Sequence, residues 1–218
     1  MKASFWQRVW QKNQTGFDQK DFNPLMVELF AEFAGETEGT ILVPLCGKSV
    51  DMVYLSQTHD VFGCELSEIA CEDFFVDKGL NPRRTKGQYY SRWRNANVTL
   101  WAGDFFKLQR YDIPKCHLAY DRAALVALPP EMREQYVKHL RNMFKDGDRL
   151  LLITVEYPEG EIEAPPFYVS EEEVRRLFNS CKIERKMEMV REDKKFGEIE
   201  LNVSSLKEVA YVITFDGF

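Results

Sequence analysis

Four charged side chains stand close behind short apolar runs of this 218-residue chain: Glu65 after 61–64, Asp104 after 98–101, and Asp121 with Arg122 after 117–120. In open α/β sheets, ligands sit beyond the carboxyl ends of the strands, where the strand order reverses. Residues there are placed to do chemistry. Glu65 follows Leu45 by 20 residues. At that distance an acid ending the second strand reaches the ribose of a nucleoside held by the turn after the first. A carboxylate suits the role because it can accept from two neighbouring hydroxyls at once. Asp104 is placed to accept from an adenine amine, with Phe105 and Phe106 beside it as an apolar wall. Arg122 reads as a fixed cation at the mouth of the site, holding a carboxylate or an anionic substrate, or else as a structural ion pair with Glu65 or Asp121. Asp121 reads as a proton acceptor or as the group that orients Arg122.

The turn after the first run, Pro44-Leu45-Cys46-Gly47-Lys48-Ser49, ends like a phosphate-binding loop. Such a loop needs a glycine five residues before Gly47, and that position is Leu42. No G-x-G-x-x-G brings backbone against a pyrophosphate either. A cofactor without a pyrophosphate fits better, and S-adenosylmethionine has none. Ahead of this turn, Phe5, Trp6, Val9 and Trp10 form one stripe of a short helix, and Gly16-Phe17 follows. This places residues 1–22 as a flap over the site, whose aromatic faces suit a sulfonium cation. The plainer alternative is that the stripe only packs on the domain.

The elements that hold these groups alternate. Apolar runs at 41–45, 61–64, 98–101, 117–120 and 150–155 are short enough to be buried strands. Asn23-Pro24 caps a helix, 50–56 reads as another, and Ser67 starts a third that Gly79 closes. Pro129-Pro130 opens a helix ending near Gly147, and Ser170 to Glu173 has the form of a capping box. Two late runs, 183–190 and 209–215, lack a crossover helix and should pair antiparallel. Residues 81–97 are polar and basic and read as a solvated excursion, or else as a segment near an anionic ligand. The expected fold is α/β, a doubly wound, seven-stranded, mainly parallel sheet with helices on both faces and an antiparallel C-terminal hairpin. It forms a single domain over 1–218.

The totals exclude several classes. A net charge of -6 argues against a nucleic-acid partner, which needs a basic face. No apolar run reaches the roughly 18 residues of a membrane span, and the N-terminus has no signal-peptide pattern, so a cytoplasmic location is expected. The five cysteines, Cys46, Cys64, Cys71, Cys116 and Cys181, include no C-x-x-C, and the three histidines show no H-E-x-x-H. No metal site and reduced thiols are expected, and a monomer.

The pieces FWQRVWQKNQTGFDQ at 5–19, VPLCGKSVDM at 43–52, GCELSEIACEDFF at 63–75, YDRAALVALPPEMREQYV at 120–137 and PPFYV at 165–169 occur in one order over almost the whole chain. Together they resemble the thiopurine S-methyltransferase family, with its class I, Rossmann-like methyltransferase fold. The resemblance implies that S-adenosylmethionine, leaving as S-adenosylhomocysteine, is held by Trp10, Leu45, Glu65 and Arg122. It matches Trp6 and Phe17 to further aromatics of the flap and Asp104 to a cofactor-adjacent position. It also implies methyl transfer to the sulfur of thiopurines, a small-molecule thiol partner, and a link to selenium and tellurium compounds. The family usually carries a substrate-holding arginine late in the chain, at the position of Gly197 here. Arg191, Lys194 and Lys195 are the stand-ins, although lysine lacks the planar fork. Two other readings share the cofactor residues: a methyltransferase for halide, thiocyanate or metalloid anions, and a non-catalytic S-adenosylmethionine-binding protein.

Overall fold

Strand β1 (Thr40–Pro44) is buried along its whole length, as a strand covered on both faces must be. The structure, a computed structural model, describes residues 3–88, 90–163 and 165–216. On one side β1 pairs in parallel with β2 (Asp60–Glu65), and on the other with β6 (Cys116–Arg122). Beyond β2 lies β5 (Val98–Ala102), and beyond β6 lies β7 (Arg149–Glu156), both parallel. The chain thus winds outward from β1 in both directions, and the order reverses between β1 and β6. That is where such sheets open a crevice at their carboxyl edge.

Two late strands, β8 (Lys182–Val190) and β11 (Lys207–Thr214), pair antiparallel as expected, and β11 also inserts against β7. Residues 81–97 depart from expectation. They form β3 (Arg83–Lys86) and β4 (Ser91–Asn95), antiparallel on β5, so the sheet has nine strands instead of seven. Their polarity is that of a sheet edge. Every residue of β3 is exposed, while Ser91 and Trp93 of β4 point inward at the period of a strand. The Arg84 guanidinium lies 4.6 Å from the Trp93 ring. A short ribbon, β9 (Lys195–Phe196) with β10 (Ile199–Glu200), fills the stretch before β11.

The helices cover both faces. On one, Leu25, Met26, Phe30 and Phe33 of α2 (Pro24–Ala34) and Cys71, Phe74 and Phe75 of α4 (Glu68–Val76) pack on Ile41, Val43, Val61 and Leu100. On the other, Tyr136, Val137 and Leu140 of α5 (Pro130–Arg141) and Val174 and Leu177 of α6 (Glu171–Leu177) pack on Leu42, Phe62, Leu150 and Leu152. The two lists alternate along each strand, as a pleated sheet requires. The caps act as their residue types dictate. Asn23 accepts from the backbone N–H groups of Leu25 and Met26 at 3.0 and 3.2 Å, a contribution of about 1 kcal/mol. Ser170 accepts from the Glu173 N–H at 3.1 Å, but Glu173 turns its own carboxylate to the buried Arg133, 2.6 Å away, so only half of the box forms. No helix among the described residues is long and apolar enough to cross a membrane. Two further helices are α1 (Ala3–Gln11), which lines the site, and α3 (Asp51–Leu55), which follows the turn after β1.

Candidate active site

The carboxyl ends of β1, β2, β5 and β6 open into a cavity of about 460 Å³, within the size range of small-molecule sites. Its floor begins at the turn after β1. Leu45, with φ of 45°, and Gly47, with φ of 51°, both adopt left-handed backbone there. For leucine that conformation is an outlier which surrounding structure must enforce, and such outliers gather at binding sites. Glu65 does the enforcing. One of its oxygens accepts from the Gly47 N–H at 2.9 Å and the other from the Ser67 N–H at 2.8 Å. The carboxylate therefore ties the turn after β1 to the turn after β2. Burial raises its pKa, and the two backbone donors pull it back. A carboxylate has about four lone-pair sites, so these bonds leave acceptor capacity on a residue that lines the cavity.

Asp104 accepts from the Phe106 N–H at 3.0 Å through one oxygen, starting a single 3-10 turn, Phe105–Lys107. Phe105 is buried against Tyr136 and His139 yet still reaches the cavity wall. Above, α1 and the segment after it form a roof. Phe17 meets the edges of Trp6 and Trp10 at 5.8 and 5.7 Å, nearly at right angles, the arrangement that ring quadrupoles favour. Trp10 is buried over Gly47, where an added Cβ would lie 3.3 Å from the indole. The roof is fastened at several points. The Glu198 N–H donates to the Gly16 carbonyl at 2.6 Å, and the Gln19 amide donates to Asp51 at 3.0 Å.

Trp6, Trp10, Phe17, Leu45, Gly47, Glu65, Asp104, Phe105 and Arg122 all line this one cavity. Asp121 does not. The fourth strand runs two residues further than the sequence suggests, so Asp121 and Arg122 lie on β6 and point to opposite faces. Asp121 is buried, and its oxygens accept from the N–H groups of Ala124 and Leu125 and from the Tyr136 hydroxyl at 2.7 Å. Burial pushes its pKa up to about 6. It supports the loop after β6 and touches neither Arg122 nor the cavity, so the proton-acceptor reading is corrected. Nor does Arg122 form an ion pair among the described residues. Its guanidinium stacks 4.7 Å from the Phe196 ring, and its buried Nε has no hydrogen-bond partner.

None of Arg191, Lys194 and Lys195 reaches the cavity lining. Arg191 faces Asp193 and Glu208 instead, at 3.3 and 3.7 Å. At Gly197, with φ of 64°, an added Cβ would fall 2.3 Å from the Phe17 carbonyl oxygen. A side chain at this position and the roof as it lies are mutually exclusive. Two acids went unnoticed in the sequence. Asp51 is buried at the start of α3 and accepts from the Asn23 N–H, the Gln19 amide and the Tyr120 hydroxyl, joining the roof segment to β6. Asp18 lines the cavity directly after Phe17. A charged residue set inside an aromatic stripe was the available signal. Cys46 and Cys64 also line the cavity, but burial drives both thiols well above their ordinary pKa, so they are not nucleophiles near neutrality.

Known proteins resemble this chain in sequence and in fold. The family model described as thiopurine S-methyltransferase matches residues 1–216. A thiopurine S-methyltransferase of Pseudomonas fluorescens is 38% identical, over 98% of this chain and 99% of its own length. One of Pseudomonas entomophila is 40% identical, over 98% of this chain and 100% of its own. Among solved structures, a SAM-dependent methyltransferase of Anabaena variabilis superposes with a TM-score of 0.65 at 18% identity, covering 97% of this chain and 94% of the other.

Proposed function

The chain belongs to the thiopurine S-methyltransferase family and is an S-adenosylmethionine-dependent methyltransferase, and from that premise we propose that it methylates the sulfur of aromatic or heterocyclic thiols, thiopurines among them. The same chemistry extends to selenium and tellurium species, which present equally soft nucleophiles. The observation that carries this reading is a single cavity, at the reversal of strand order, lined by Leu45, Glu65, Asp104 and Arg122 and roofed by Trp6, Trp10 and Phe17.

The residues fit the cofactor on their own chemistry. Glu65 has acceptor sites left for ribose hydroxyls, Asp104 has a free oxygen for an amine, and the three aromatic faces suit a cation. When bound, the cofactor supplies a methyl group activated on a cationic sulfur. The chain's part is to align the acceptor with that group and to exclude water. Trp6, Trp10 and Phe17 exclude water, while Phe105 and Phe106 wall the adenine held at Asp104. Arg122 favours the thiolate over the thiol, because a guanidinium at the cavity with no ion-pair partner among the described residues stabilises an anion. Its five donors suffice for an anionic acceptor and for the cofactor's carboxylate. No histidine lines the cavity, so the acceptor arrives as the thiolate or gives its proton to solvent or to a carboxylate at the roof.

The setting we propose is a cytoplasmic monomer acting on a small molecule. The five cysteines are all free, which suits a reducing compartment. The test is calorimetric titration with S-adenosylhomocysteine, followed by methyl transfer to a thiopurine and to iodide or thiocyanate. Micromolar binding with turnover on the thiopurine is expected. Turnover confined to the small anions would reassign the acceptor, and binding without transfer to any acceptor would leave only a cofactor-binding protein.

A further inference from the structure

Asp18 lines the cavity from the roof, and its surroundings are unusual. Of the buried side-chain atoms among the described residues that lack a hydrogen-bond partner, two belong to residues lining the cavity: Oδ2 of Asp18 and Nε of Arg122. A buried polar atom left unpaired is costly, so each of these marks a place where a ligand group is wanted. The two are opposite in charge and attract each other across the cavity, but they do not form an ion pair. A ligand group that carries both a positive and a negative charge answers both.

The neighbourhood of Asp18 says which end of the ligand this is. A Cβ added to Gly47 would lie 4.0 Å from Asp18 Oδ1, so the carboxylate stands over the left-handed turn after β1. The Lys48 ammonium forms an ion pair with Oδ2 at 3.9 Å, too long for a hydrogen bond, and makes its own hydrogen bond to Asp77 at 2.9 Å. The adenine and ribose ends of the cofactor are accounted for at Asp104 and Glu65. What remains of S-adenosylmethionine is its α-amino acid, an ammonium beside a carboxylate.

We propose that Asp18 binds the α-ammonium of the cofactor's methionine portion, with Arg122 taking the adjacent carboxylate, so that the roof segment and β6 clamp a zwitterion between them. This rests on the cofactor reading above and adds to it a residue of the roof that recognises the cofactor by charge. Burial raises the Asp18 pKa to about 6, against the pull of Lys48, Arg122 and Lys78 and with Asp77 adding to the rise, so the carboxylate is mostly ionised near neutral pH.

The experiment compares S-adenosylhomocysteine with its analogue carrying hydrogen in place of the α-amino group. Both are titrated calorimetrically into the full chain and into the Asp18→Asn variant. The unmodified chain should bind S-adenosylhomocysteine about tenfold to a hundredfold more tightly than the deaminated analogue, the span of one charge-assisted hydrogen bond. In Asp18→Asn that preference should vanish, with the analogue bound as tightly as before. Equal affinity of the unmodified chain for the two ligands needs no variant to read, and it would overturn the inference while leaving the cofactor reading intact. So would a preference that survives in Asp18→Asn, or unchanged affinities with slowed turnover, which would make Asp18 a proton acceptor. Failure of S-adenosylhomocysteine to bind the unmodified chain would bring down the cofactor reading, and this inference with it.

Discussion

Glu65→Gln separates two duties that one carboxylate performs. In the structure its oxygens take the Gly47 and Ser67 N–H groups, at 2.9 and 2.8 Å. A glutamine side chain keeps the shape but has one acceptor oxygen. Its amide nitrogen must then face one of the two buried N–H groups, donor against donor. The displaced bond is charge-assisted and its backbone donor is left unsatisfied, so the expected loss is about 2–4 kcal/mol of folding stability. That shifts a urea midpoint by roughly 1 M or more for a chain of this size. The second duty is to the ligand. The carboxylate offers two further acceptor sites and the amide oxygen one, so affinity for S-adenosylhomocysteine should fall by about tenfold or more. Equilibrium urea unfolding without ligand measures the first effect. Calorimetry, at a temperature where the variant is still folded, measures the second. A variant that is destabilised but binds within about twofold of the parent would refute the ribose role and leave Glu65 as a brace for two turns. A variant with an unmoved urea midpoint would refute the hydrogen-bond reasoning itself.

Other consequences are as open to measurement. Arg122→Met keeps contact with Phe196 and removes a half-buried charge that has no ion-pair partner among the described residues, so stability should stay near level while affinity for S-adenosylhomocysteine and thiol turnover fall by about tenfold or more. A clear drop in the melting temperature would contradict it. Asp121 titrates near 6 in the folded chain, above its unfolded value of about 3.8, so its contribution is greatest at low pH and is lost as pH rises through about 6. The stability deficit of Asp121→Asn should therefore be about 2 kcal/mol larger near pH 4.5 than near pH 7, measured by urea unfolding at both, and a deficit independent of pH would count against the buried acid. Thiol labelling of the native chain should modify Cys181 quickly and the four buried cysteines only after denaturation. Trp10→Ala removes the ring that seats the roof on Gly47 and should open the first 20 or so residues to limited proteolysis, a change followed by mass spectrometry.

The sequence made the central sheet readable because buried parallel strands advertise themselves as unbroken apolar runs, and 41–45 and 150–155 are such runs. The edge hairpin of β3 and β4 carried no such signal, since one of its strands is exposed at every residue. Site residues were legible where chain position alone determines them, as for Glu65 at the end of β2. They were not where a one-residue difference selects the face. Asp121 and Arg122 are neighbours in sequence, and only the parity of β6 sends the second to the cavity and the first to Tyr136. Asp18 was invisible for another reason. Its meaning lies in a hydrogen bond it lacks, and that shows only once the roof is folded over the turn at Gly47.

β11 bears on how the molecule is made. It comes late in the chain yet pairs with both β7 and β8, lying one strand inside the edge of the sheet. During synthesis β7 therefore emerges with one edge bare, and it waits while some 50 residues pass before its partner arrives at Lys207. A growing chain in that state exposes the very edge that invites pairing with other chains. The ribbon of β9 and β10, which carries Phe196 under Arg122 and Glu198 against Gly16, is translated in the same interval. The residues that line the cavity end at Ile199, so a nascent chain cut short before β11 carries them on a sheet whose β7 edge is still bare, open to the proteases and chaperones that sort unfinished proteins.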